Sequence, residues 1–104
     1  MKPAPNPARG EAAIRVAGEM LALRPSFAAL VAAEGELGSL FALVERAAEG
    51  RLALAEMVAL FWHCRDGAPE ALTREALGEA VVAGGMAAAT PALRTLLRQV
   101  LAGR

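Results

Sequence analysis

The 104-residue sequence predicts an α+β fold that is mostly α, with an N-terminal β-hairpin packed on a bundle of about five short helices. Three observations predict it. Between Glu11 and Leu23 apolar residues alternate with a period of two, and from Ser26 onward they recur at the three-and-four spacing of a helix. Glycines, prolines and Ser or Thr caps cut the helical part into short pieces. About a quarter of the residues are alanine, the strongest helix former.

The hairpin is expected over residues 11–24. With Ala17-Gly18 as a two-residue turn, Val16 faces Glu19, Ile14 faces Leu21 and Ala12 faces Leu23, so the pairs Ile14/Leu21 and Ala12/Leu23 share one buriable face. Arg15, Met20, Ala13 and Ala22 take the other. A type I′ turn requires positive φ at both central residues, which suits Gly18 and strains Ala17. A longer loop is the alternative.

Helices are expected at about 26–35, 39–49, 53–66, 73–84 and 90–102. Ser26 caps the first, whose stripe is Phe27, Leu30, Val31 and Glu34, with Gly35 as its end. Ser39 caps the second, with Leu40, Phe41, Val44, Ala47 and Ala48 as its apolar positions and Gly50 just past its end. The third aligns Leu54, Met57, Val58 and Phe61, yet Leu60, Trp62 and Cys64 make its other sides apolar too. Such a helix is buried on several sides or covered by a partner. Gly67 and Pro69 break the chain, and Thr73 caps the fourth helix, with Leu72 and Leu77 placed as a hydrophobic staple. Gly84-Gly85 closes it. Thr90-Pro91 opens the fifth, along which Leu93, Leu96, Leu97, Val100 and Leu101 form a stripe. The pattern leaves Met86 to Ala89 undecided.

One domain over residues 10–104 is expected, preceded by a flexible arm at 1–9. Nearly half of the 56% hydrophobic content is alanine, and with three Phe, one Trp and no Tyr the core is thin, which favours support from a partner or a second copy. Eleven basic and eleven acidic residues cancel, arguing against a polyanion as main ligand. Arg94 and Arg98, four apart on the last helix, read as a solvated face. The longest uncharged stretch, Ala80 to Leu93, is too short to cross a bilayer. The start Met-Lys-Pro-Ala-Pro-Asn-Pro has no apolar signal core, so a cytoplasmic location is expected. A single cysteine excludes an internal disulfide.

Catalytic constellations are absent from the pattern. His63 and Cys64 are adjacent and so point about a hundred degrees apart on a helix, and no second His or Cys exists to complete a metal site. Gly35, Gly38 and Gly84-Gly85 match no phosphate loop. No metal and no cofactor are implied.

Three residues stand as candidate protein contacts: Glu34, Phe61 and Trp62. Glu34 ends the first helical stripe, and its carboxylate serves either the free N–H groups near Ser39 or a partner. The readings differ in their mutants: Glu34→Gln lowers stability in the first and weakens partner binding alone in the second. Aromatics on a short helix are commonly core, but Trp62 falls off the main stripe, where a tryptophan suits an interface.

The ordered features resemble a known family. Asn6-Pro7-Ala8-Arg9-Gly10-Glu11, the hairpin from Ile14 to Leu23, and Pro25-Ser26-Phe27-Ala28-Ala29-Leu30 leading to Glu34 are similar to the start of the gene transfer agent family, related to phage tail tube and tail assembly chaperone proteins. Leu40, the Gly50-Arg51-Leu52 break, Cys64-Arg65-Asp66-Gly67, the helix from Thr73 to Gly84-Gly85 and the final Leu96-Leu97 segment follow in the same order. Nearly the whole chain is covered, by helix breaks and caps rather than ligands. One departure is Ala17-Gly18, where Asp-Gly or Asn-Gly is expected. The resemblance implies a non-enzymatic protein whose partners are other tail proteins, the tape measure or tail tube protein, and which ends in a phage-like particle or acts before it is complete. A helix-in-groove contact would suit the alanine-rich surface.

Two other classes make different demands on the sequence. A small helical DNA-binding or regulatory protein would need Arg, Lys, Asn or Gln along a recognition helix, and the Thr73 helix offers only Arg74. An enzyme would need a deep pocket lined by His63 and Glu34.

Overall fold

The computed structural model describes residues 11–102, so the arm expected at 1–9 lies outside the described residues. Strands β1 (Ala12–Val16) and β2 (Glu19–Leu23) pair antiparallel with Ala12 opposite Leu23, Ile14 opposite Leu21 and Val16 opposite Glu19. The turn is the two-residue type, with Ala17 at φ 52° and Gly18 at φ 82°. The Arg15 guanidinium donates to the Gly18 carbonyl at 3.1 Å and braces it. Ala17 is held in the left-handed region that costs an L-residue roughly 1–2 kcal/mol. Ala17→Gly is therefore expected to stabilise the protein by about 1 kcal/mol, read as a raised urea midpoint with an unchanged slope.

A third strand, β3 (Arg65–Asp66), completes a sheet of order β1-β2-β3 by pairing Leu23 with Arg65 and Ala22 with Asp66. This corrects the third helix, expected to 66, which ends at Cys64. The Arg24 N–H donates to the Cys64 carbonyl at 2.7 Å and extends that ladder. Nothing in the local sequence marks the change before Gly67. The far edge of β2 needs a backbone partner, and it outcompetes one more helical turn.

Helix α1 (Phe27–Leu37) runs through Gly35 and stops at Gly38, whose N–H donates to the Glu34 carbonyl and whose φ of 82° then turns the chain out of the helix. A mid-helix glycine costs only about 1 kcal/mol, so Gly35 does not end it. Helix α2 (Leu40–Ala48) closes with Gly50 N–H on the Ala47 carbonyl and Arg51 N–H on the Arg46 carbonyl, a Schellman motif. In α3 (Leu54–Cys64), Glu56 accepts from the Ala53 N–H at 3.0 Å and pairs with Arg46, joining α3 to α2. Helix α4 (Arg74–Gly84) starts with Thr73 Oγ1 accepting from the Ala76 N–H at 3.0 Å, with Leu77 fully buried beneath.

Helix α5 (Met86–Ala102) begins four residues before Thr90, so Met86 to Ala89 is helical. Thr90 is interior: its hydroxyl donates to the Met86 carbonyl at 3.0 Å. Pro91 removes the N–H that would meet the Ala87 carbonyl, and Ala87 is exposed, so water can serve that group. The cap-then-proline pair is thus two unrelated residues.

Packing centres on α3. Met57 to Phe61 and Cys64 are all buried, with α1 and α4 against this helix. The sheet lays Ala12, Ile14, Leu21 and Leu23 inward, with α4 and α5 on β1, while α2 packs on α1 and α5.

Candidate interaction surface

Helix α1 is turned by about one residue from its expected orientation. Ala33 is fully buried, with Ala29, Leu30 and Leu37 beside it, whereas Phe27 is 85% and Val31 51% exposed. The helix is apolar nearly all round, so its period does not select a face. Alanine wins the inner side because it lets α1 approach α3 closely. On α2 the same exchange occurs: Leu40 and Leu43 go inside, and Phe41 is 67% exposed. Phe27 and Phe41 both belong to the apolar positions expected from the sequence, and the structure puts both on the surface.

Glu34 is exposed beside the turn into α2, where its Oε2 accepts from the Leu40 N–H at 3.1 Å. Ser39 Oγ accepts from the Ala42 N–H nearby, so two first-turn donors of α2 are satisfied. Glu34→Gln keeps an acceptor but removes negative charge from a helix N-terminus, and is expected to cost about 0.5–1 kcal/mol in chemical denaturation.

Phe61 has no accessible surface and sits at the centre of the core. In the free chain this candidate contact is a packing residue, because the stripe containing Met57, Val58 and Phe61 is enclosed by α1 and α4. Trp62 is half-buried against the edge of the core. The Arg65 guanidinium lies 3.5 Å from its ring centroid and that of Arg74 lies 5.8 Å away, so cations cover part of its π surface.

Beside Trp62 a polar cluster joins three helices. Glu36 Oε1 accepts from His63 Nε2 at 2.8 Å and Oε2 from Arg74 at 2.7 Å. Sequence gives no sign of it, since the partners lie far along the chain. Hydrogen bonding from Arg74, then from His63, lowers the Glu36 carboxyl from 4.5 to about 2. A lowered folded-state value means the unfolded chain binds more protons between these limits, so the stabilisation is complete above about pH 4.5 and is lost as pH falls through about 2. Wild type and Glu36→Gln are thus expected to differ in urea midpoint at pH 6, with the gap closing as the acid limit is approached.

Other chemistry is constrained. Burial pushes the Cys64 thiol up to about 12, so it stays protonated at neutral pH and supplies no thiolate. Arg74, the single cation available to a DNA-reading α4, is engaged by Glu36. Among the described residues no three His, Cys, Asp or Glu side chains converge on a metal geometry, and no single helix is long and apolar enough to cross a membrane.

Between α3 and α4 runs an open groove of about 730 Å³. Leu54, Val58, Gly78 and Val82 form its apolar part, and Glu75 and Glu79 stand along the α4 side. In comparison with known proteins, a family model described as phage tail tube protein, GTA-gp10, fits residues 9–103. No curated protein and no solved structure matches the chain.

Proposed function

Since the chain belongs to the phage tail tube protein family GTA-gp10, we propose that it acts without enzymatic chemistry as a tail assembly chaperone, holding apolar segments of the tape measure protein until tube subunits polymerise around it. The carrying observation is that two of the three phenylalanines, Phe27 and Phe41, stand in water on adjacent helices. Leaving a large apolar side chain exposed forgoes roughly 1.5–3 kcal/mol that burial would supply. A chain with so few aromatics keeps them outside for a partner to cover.

The uncovered part of Trp62 is a secondary contact in this reading, and Glu34 is occupied with capping. The protein then works in the cytoplasm during assembly. A second reading, a structural component retained in the tail, is favoured by the family's description as a tube protein. Co-expression with a phage tape measure protein tests the proposal. A co-purifying complex absent from finished particles supports the chaperone. No complex, with the chain recovered in purified particles, supports the structural component.

A further inference from the structure

The groove between α3 and α4 has walls of unlike character. The α3 side offers Leu54, Ala55 and Val58, without charge. On α4, Glu75 and Glu79 are one turn apart, both exposed, and neither forms an ion pair among the described residues. The one cation lining the groove, Arg74, is held by Glu36 at 2.7 Å. The α4 rim therefore carries net negative charge while the other rim is neutral.

The floor is shaped by a missing side chain. A Cβ at Gly78 would meet the Val58 methyls at 3.6 and 3.8 Å, ordinary contact, so glycine here deepens the groove without being required by the fold. Val82, 59% exposed, continues the apolar surface one turn on. Polar groups lie only at the rim, so nothing in the floor orients a small polar molecule. Two facing helices of eleven residues each, about 16 Å long, match some three turns of a third helix.

We propose that this groove receives an amphipathic helix of about three turns from a partner tail protein, its apolar stripe on Val58, Gly78 and Val82 and its basic side chains along the flank facing Glu75 and Glu79. This rests on the reading of the chain as a binder of other tail proteins and names the kind of segment bound. The charge is one-sided, so it fixes the direction of the guest's basic flank as well as its sign.

The test uses the full chain and three fluorescein-labelled 14-residue helical peptides, read by anisotropy. One carries a leucine stripe flanked on one side by lysines, its twin has glutamates in place of the lysines, and the third has the stripe scrambled. The lysine peptide is expected to bind about tenfold more tightly than the glutamate twin at low salt, and the scrambled peptide about a hundredfold more weakly. Gly78→Leu fills the floor and should abolish binding. Glu75→Lys with Glu79→Lys, two exposed changes of which the first gives up a favourable charge in the first turn of α4 without touching the core, should reverse the preference between the twins in the folded variant and decides the matter if the leucine variant misfolds.

Equal binding of the twins, or full binding by Gly78→Leu, overturns the proposal. So does concentration-dependent self-association that Gly78→Leu removes while no peptide binds, since the occupant is then a second copy. Retained capture of the tape measure protein by a folded Gly78→Leu variant overturns the groove and leaves the chaperone reading standing. Failure of wild type to capture that protein, with the lysine peptide still bound, does the reverse.

Discussion

Phe61→Ala is expected to remove about 3–5 kcal/mol of stability, the largest effect of any single change considered. Its side chain has no accessible surface and is enclosed where α1 and α4 meet α3, so truncation leaves a cavity that the surrounding helices close only in part. A domain of this length has on the order of 5–15 kcal/mol in total, and its alanine-rich core has few large side chains to compensate. Urea denaturation followed by circular dichroism measures the loss. Any fall in partner binding should follow the unfolded fraction and disappear under conditions where the variant is fully folded. A variant that is as stable as wild type yet fails to bind would return Phe61 to the interface.

Replacing Phe27 and Phe41 by serine is expected to do the opposite. Both rings are mostly in water, so each change should alter stability by no more than about 0.5 kcal/mol. If the chain acts as the proposed chaperone, capture of the tape measure protein should fall steeply, because an aromatic anchor at an interface is commonly worth about 2 kcal/mol, or roughly thirtyfold, for each ring. Titration of the variants against the purified partner segment, beside melts of the free proteins, separates the two quantities. Binding unchanged in a folded double variant would remove these rings from the contact and with them the main support for the chaperone.

The contrast between these phenylalanines shows where sequence reading stops. Phe27 and Phe61 both sit on helical apolar stripes, and one is 85% exposed while the other is wholly buried. In α1, alanines and a valine make every face apolar, so choosing the inner side depends on the gap α3 leaves, and Ala33 fits it. The groove was illegible for a similar reason. Gly78 reads locally as a weak helix residue, and its meaning comes from Val58 on another helix.

What the sequence by itself determined is the set of elements whose causes are local: the hairpin register from Ile14/Leu21 and Ala12/Leu23, the caps at Ser26, Ser39 and Thr73, and the apolar-all-round character of α3. Each depends on groups within a few residues of one another. Only the tertiary structure decided that Arg65–Asp66 joins the sheet, that Thr90 lies inside α5, that Glu36 gathers His63 and Arg74, and that two aromatic rings face outward. Those outcomes are competitions between distant groups for one partner or one cavity, and a period read along a single segment carries no term for its competitor.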